Sequence, residues 1–399
     1  MTKNELWANK LLESSEIRIN GNKPWDLKVL NEGVYDRIKA EGSLGLGESY
    51  MDGWFECKSL DQFFYKLFLA KVPEKIVFNL PLILSIISAK LFNRQSRSRA
   101  FEVGEKHYDL DNKLFSAMLG KSMAYSCGYW KNVPTAKSSR ILGKTGTKDL
   151  DSAQFAKYDL ICKKLDLKPK QKILDIGCGW GGFAKYATEN YKVSVVGITI
   201  SKEQAEFAKK YCSGCNATEN PQKNRDKGLK VEIRVQDYRE LNEKFDHIIS
   251  IGMFEHVGPK NHREYFKVAK KCLKDGGLFL LHTIGSKTSG NSSDPWLNKY
   301  IFPNGVLPSI KQIADKCENL FVIEDIHNFG SDYDKTLMAW HKNFNQAWPQ
   351  FRGKYSERFF RMWNYYLLSC AGLFRARQIE LWQIVLSKNG IPDGYKSIR

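Results

Sequence analysis

The segment Lys172–Ala184, KILDIGCGWGGFA, constrains the fold more tightly than any other part of this 399-residue chain. An apolar strand pattern ends at Asp175, a turn carrying Gly177, Gly179 and Gly181 follows, and a helical pattern begins near Trp180. Glycines at such a turn let the backbone approach a ligand that side chains would strike. The helix N-terminus behind it presents unpaired N–H groups. From about residue 150 onward, short apolar segments alternate with helical ones. The strand candidates are Lys172–Gly177, Val193–Ile200, Leu229–Val235, Phe245–Met253 and Gly277–Ile284, with Phe321–His327 and Gln378–Leu386 near the C-terminus. Helical stretches such as Lys202–Tyr211 and Arg263–Leu273 lie between them. That alternation predicts a seven-stranded, doubly wound α/β sheet.

The earlier part has a different texture. Residues 1–95 read as a smaller, mostly helical N-terminal domain, with Glu41–Glu56 as a glycine-punctuated loop. Residues 96–104 read as a linker and 105–399 as the main domain. Ala136–Asp149 and Ser213–Gly228 are polar and read as surface loops. The start of the chain lacks the apolar core of a signal peptide. The most apolar stretch, Ile76–Ala89, is too short to span a bilayer. It is followed by Lys90, Arg94, Arg97 and Arg99, a combination that suits either an anionic lipid surface or a buried helix. Lys and Arg outnumber Asp and Glu by 62 to 44, for a formal charge of +18, which favours a polyanionic partner. The basic residues are dispersed, without zinc-finger spacing or an aromatic RNA-binding run, which argues against nucleic acid. Nine scattered cysteines fit reduced thiols in the cytoplasm, and the single Cys212–Cys215 pair has no second pair with which to hold a metal.

The glycine turn alone leaves two cofactor classes open. A dinucleotide site requires an acid at the end of the next strand, and that strand ends in VVGITIS, Val195–Ser201, without one. Asp175 stands just before the first glycine, where Rossmann-like methyltransferases carry an acid. The balance favours S-adenosylmethionine and the class I methyltransferase fold.

A wider set of segments carries a family resemblance. GSLGLGESYMDGWFE, EKHYDLDNKLFSAML, AYSCGYW, LDIGCGWGG, GITIS, GMFEHVGPKN, LLHTIGS, DPWLNKYIFPNG, HNFGSDYDKTLMAW and CAGLFRARQIELWQ together resemble the cyclopropane-fatty-acyl-phospholipid synthases and the related mycolic acid cyclopropane synthases, from about residue 40 to the C-terminus. Asp111 departs from that pattern, where glycine would be expected. The resemblance implies that Tyr125 and Ser126 flank the methionine part of S-adenosylmethionine. Leu174, Asp175, Gly177, Cys178, Gly179, Trp180 and Gly181 would cradle its amino-acid and ribose portions. Thr199, Ile200, Ser201 and Gln204 would contact the ribose, and Asp237 and Tyr238 would enclose the adenine.

The implied reaction is methyl transfer to an alkene, formation of a carbocation, and loss of a methyl proton to close a three-membered ring. Such a site needs apolar walls, aromatic faces near the cation and a base. The family resemblance supplies bicarbonate as that base, held by the Cys127 and Ile284 backbones and by Glu255, His282 and Tyr333. His282 would donate to the anion, Glu255 would accept its proton, and Tyr333 would relay protons. Phe254, Trp296, Tyr300 and Phe302 are candidate wall residues. Cys370 invites a nucleophile reading, but a thiol adjoining the acyl pocket is the preferred one. The implied partners are unsaturated phospholipids of an anionic membrane face, contacted peripherally from the cytoplasm, and a second copy of the chain in a homodimer. Lipid methylation without ring closure and small-molecule methylation on the same fold are the alternatives.

Overall fold

The computed structural model describes residues 2–75, 112–130, 149–213 and 230–399. The segment Ile76–Ala89 with its basic flank, the linker 96–104, Asp111, Cys215 and most of the two polar loops lie outside them.

The N-terminal stretch forms α1 (Lys3–Leu12), α2 (Gly33–Glu41), α3 (Ser43–Met51), α4 (Leu60–Leu69) and the single turn α5 (Val72–Lys75). A short antiparallel ribbon pairs β1 (Lys28–Val29) with β2 (Phe55–Glu56). The glycine-rich stretch expected as a loop is therefore mostly helix α3. Its glycines serve packing rather than chain reversal. A Cβ on Gly45 would lie 2.3 Å from the Arg37 carbonyl of α2, and one on Gly47 would lie 2.3 Å from the indole of Trp296.

The rest of the described chain builds one seven-stranded sheet: β3 (Lys172–Ile176), β4 (Ser194–Thr199), β5 (Val231–Val235), β6 (His247–Ile251), β7 (Leu278–Ser286), β8 (Val322–Asn328) and β9 (Ile379–Ser387). Their order across the sheet is β5-β4-β3-β6-β7-β9-β8. The first five run parallel, and β9 inserts antiparallel between β7 and β8. The predicted parallel sheet thus carries one reversed strand, β9, next to its β8 edge. Nearly every residue of β3, β4, β6 and β7 is buried, as expected of strands covered on both faces.

Helices α6 (Asn112–Leu119), α7 (Leu150–Lys164), α8 (Gly182–Tyr191), α9 (Lys202–Tyr211), α10 (His262–Cys272), α11 (Pro295–Tyr300), α12 (Ile310–Cys317), α13 (Ser331–Ala347) and α14 (Glu357–Arg375) complete the described chain. Their starts are written locally. Asp149, Ser201, Asp294 and Ser356 each cap a helix with a side-chain oxygen, and Ser309 and Gln312 form a full capping box on α12. Helix α14 packs against α4 and α13. Gly372 permits the close approach to α4, since a Cβ there would meet Phe64 at 2.6 Å. Arg375 fastens the same contact, bonding both carboxylate oxygens of Asp334 on α13 and reaching Asp61 of α4 at 2.7 Å. Among the described residues no helix is long and apolar enough to cross a membrane.

Candidate active site

The strand order reverses between β3 and β6, and the crevice beyond the carboxyl ends of such strands is where doubly wound sheets bind ligands. A cavity of about 190 Å³ opens there. Its floor is the turn after β3, where Gly177, Gly179 and Gly181 have φ values of +86°, +53° and +84°. Side chains rarely adopt that conformation. A Cβ on Gly179 would meet nothing within 4 Å, whereas one on Gly177 would collide with Met253. The turn is anchored because the N–H groups of Gly177 and Cys178 both donate to the Ile198 carbonyl of β4.

Twelve of the sequence-predicted cofactor residues line this cavity: Tyr125, Ser126, Asp175, Gly177, Cys178, Gly179, Trp180, Thr199, Ile200, Gln204, Asp237 and Tyr238. Three others support it from behind. Leu174 is fully buried in the sheet core, Gly181 packs on Cys212 and Ala208 of α9, and Ser201 caps α9. Thr199 donates to the Gln204 side chain, so the two expected ribose contacts hold one another. The Asp237 carboxylate is engaged by the guanidinium and backbone N–H of Arg239, at 2.6–2.9 Å. The cavity also takes Met123, Tyr158, Gln236, Met253, His256, Pro303 and Asn304, which the sequence reading did not single out. Asp175 is strongly perturbed here. Burial raises its carboxyl to about 7 against the pull of Lys157, and its Oδ1 has no hydrogen-bond partner among the described residues.

Lys157 was also missed. It is fully buried on α7, donating to Ser126 Oγ at 2.7 Å and Gln154 Oε1 at 2.8 Å, while Gln154 donates to the Ser126 carbonyl. Burial lowers its ammonium to about 7. The segment it supports is pinned from the other side by Thr336 of α13, which accepts from Gly128 N–H and from the Trp130 indole.

Beyond the cavity lies a buried polar corner. Glu255 follows β6, and its Oε1 accepts from the Ile284 N–H at 2.7 Å. Its Oε2 is buried and has no partner among the described residues. Burial raises the carboxyl to about 7. His282 on β7 contacts Gln383 through Nδ1, while Nε2 is buried without a partner among the described residues. Burial holds this imidazole well below its ordinary value, so it is neutral. Tyr333 stacks on Phe374 with ring centres 4.4 Å apart. Burial, reinforced by Cys127, Glu255, Tyr125 and Cys370, keeps its phenol well above the usual range. Three of those four groups, Cys127, Glu255 and Cys370, belong to the predicted catalytic set.

The predicted cysteines and wall residues separate. Cys127 and Cys370 are both buried, with Cys370 pushed up to about 12 by burial. A thiol so far from its thiolate form is a poor nucleophile. Phe302 faces Tyr125, Tyr366 and His256 as a wall residue should. Phe254 instead stacks on His262 and Tyr300 bonds Glu48, while Trp296 packs on Tyr365 and lines a second, mostly apolar cavity of about 800 Å³. No cluster among the described residues is suited to a metal ion.

Comparison with known proteins places this geometry in context. A sequence-family model described as mycolic acid cyclopropane synthetase matches residues 95–384. The cyclopropane-fatty-acyl-phospholipid synthase of Escherichia coli strain K12 is 52% identical over 392 residues, 98% of this chain and 95% of that protein. Two solved structures, the cyclopropane synthase MmaA2 from Mycobacterium tuberculosis and the mycolic acid cyclopropane synthase CmaA1 complexed with SAH and CTAB, each superpose with a TM-score of 0.62 at 30% identity. Each covers 72% of this chain and 98% of its own.

Proposed function

The chain belongs to the mycolic acid cyclopropane synthetase family, and from that premise we infer that it converts the double bond of an unsaturated phospholipid acyl chain into a cyclopropane, with S-adenosylmethionine as the one-carbon donor. The residues at the carboxyl ends of β3 and β4 suit that donor: a glycine floor open to the cavity and a buried Asp175 oxygen without a partner among the described residues. When bound, S-adenosylmethionine supplies an electrophilic methyl group. The protein's part is to exclude water and to present weakly polar surfaces, because an alkene is a poor nucleophile and a carbocation reacts with any water present. Tyr125, Trp180 and Phe302 supply aromatic faces at this corner, and such faces stabilise developing positive charge.

Ring closure requires removal of a methyl proton. The single observation that carries this part of the reading is the pair of buried, unpartnered atoms, Glu255 Oε2 and His282 Nε2. Between such atoms a small oxyanion finds hydrogen-bond partners, so we assign bicarbonate to Glu255, His282 and Tyr333, with backbone support from Cys127 and Ile284. Bicarbonate would supply the base. A neutral His282 donates without adding charge, and a carboxyl raised to about 7 exchanges protons near neutrality. We assign residues 1–95 to association with a phospholipid surface, consistent with exposed Leu6, Leu30 and Leu69, while the +18 charge, which lies almost entirely in the rest of the chain, favours an anionic one. The enzyme then acts peripherally, and the homodimer of the resemblance is part of the same proposal.

The test uses vesicles of unsaturated phospholipid and S-adenosylmethionine carrying a fully deuterated methyl group. Mass analysis should find cyclopropane acyl chains that have lost one deuterium. Products that keep all the label would mean methylation without ring closure.

A further inference from the structure

Toward its β8 edge the sheet holds a row of polar side chains of which the reaction as described uses only His282. His282 on β7 pairs across with Gln383 on β9, and Gln383 pairs in turn with His327 on β8. Cross-strand partners share a face of the sheet, so the three side chains stand in line, 1%, 0% and 7% exposed. Leu381 and Val385, two residues to either side of Gln383, are buried and apolar. Burying an amide and two imidazoles in such surroundings costs free energy that only hydrogen bonds recover. Apolar groups of similar shape would serve stability as well, so packing alone does not account for the row.

One bond in it decides where a proton resides. Gln383 Nε2 lies 3.3 Å from His282 Nδ1. An amide nitrogen only donates, so Nδ1 accepts, and a neutral imidazole then carries its proton on Nε2. Nε2 is the buried His282 atom with no partner among the described residues. Reversing the amide would leave its NH2 where Oε1 now lies, buried and without an acceptor among the described residues. An under-satisfied carbonyl is more readily tolerated than orphaned donors. The far end of the row is held too: Lys164, fully buried on α7, lies 3.1 Å from His327 Nδ1 and 3.9 Å from Asp325.

We propose that Gln383 is a positioning residue for the reaction: its amide N–H fixes His282 as the Nε2–H tautomer, so that the ring presents a donor to an anion held beside Glu255. This rests on the anion-binding reading of His282 given above. The bare tautomer would turn a lone pair toward that anion and repel it.

Full-length protein labelled with 15N-histidine tests the assignment, with the His282 resonances identified by their loss in His282→Asn. The wild type should show a protonated Nε2 and a bare Nδ1. In Gln383→Met, which removes the donor at similar volume, the two tautomers should mix. Turnover should fall about 10- to 100-fold, the scale for losing a group that orients another, while KM for phospholipid and affinity for S-adenosylmethionine stay unchanged. A protonated Nδ1 in the wild type, or wild-type turnover in a folded Gln383→Met protein, would overturn the proposal. If Gln383→Met does not fold, the wild-type spectrum decides. Full turnover in His282→Asn would instead remove the anion reading, and with it any catalytic consequence of Gln383, while the tautomer itself would still be read from the wild-type spectrum.

Discussion

Replacing Glu255 by Gln keeps an acceptor for the Ile284 N–H while removing the only proton-exchanging group of that side chain. The carboxyl is 7% exposed, and one of its oxygens has no partner among the described residues. Burial moves it from 4.5 to about 7. At about 1.4 kcal/mol per unit, that displacement corresponds to about 3 kcal/mol of folding free energy. A carboxyl raised in the fold contributes stability that is fully present below pH 4.5 and is lost as the pH climbs through about 7. Gln does not titrate. Glu255→Gln should therefore gain about 3 kcal/mol on the wild type between pH 4.5 and pH 8, beyond any constant offset from its new N–H group. For a chain of 399 residues, at about 2.1 cal/mol/K per residue, the gain appears as a relative Tm rise of roughly 3–4 °C. Calorimetry of both proteins across that range, without bicarbonate or S-adenosylmethionine, is the assay. In the same variant turnover should fall about 10²- to 10⁴-fold with S-adenosylmethionine binding intact. Tm curves that stay parallel from pH 4.5 to pH 8 would refute the desolvated carboxyl, and with it the reason for a proton-exchanging group there.

The other expectations are simpler. Cys370→Ser should retain a sizeable fraction of activity, because its thiol is held near 12 and forms no covalent intermediate; complete loss in a folded, cofactor-binding protein would revive the nucleophile. Cys127→Ser should behave alike, since only the backbone at 127 is assigned to the anion. Rigorous bicarbonate depletion should slow the wild type and added bicarbonate should restore it, whereas an unchanged rate would leave Glu255 or His282 as the direct base. Vesicle binding should strengthen with anionic lipid and weaken with salt, and equal binding to neutral vesicles at every salt concentration would remove the electrostatic contribution.

What the sequence disclosed of this fold depended on how far apart the cooperating residues lie. The turn after β3 was legible because its glycines answer a local demand, positive φ beside a ligand cavity. Glu41–Glu56 was misread because Gly45 and Gly47, unlike Gly42 and Gly53, answer packing rather than chain reversal: Gly47 is small so that Trp296, almost 250 residues later, can lie against α3. Lys157 fails for the same reason. In α7 it resembles any solvated helical lysine, and only the fold brings Ser126 over it. Gln383 is different, since a usable signal was present. It interrupts IELWQIVLS, a strand otherwise apolar on the same face at Leu381 and Val385. A polar residue at a position that alternation assigns to the core needs a partner, and β9 lies between two strands that each offer a histidine at that level. Glu255, His282, Gln383 and Asp175 each bury a side-chain atom that has no hydrogen-bond partner among the described residues, a cost that packing does not offset. Chemistry explains that cost better than folding does, and replacing each should cost turnover before it costs the fold.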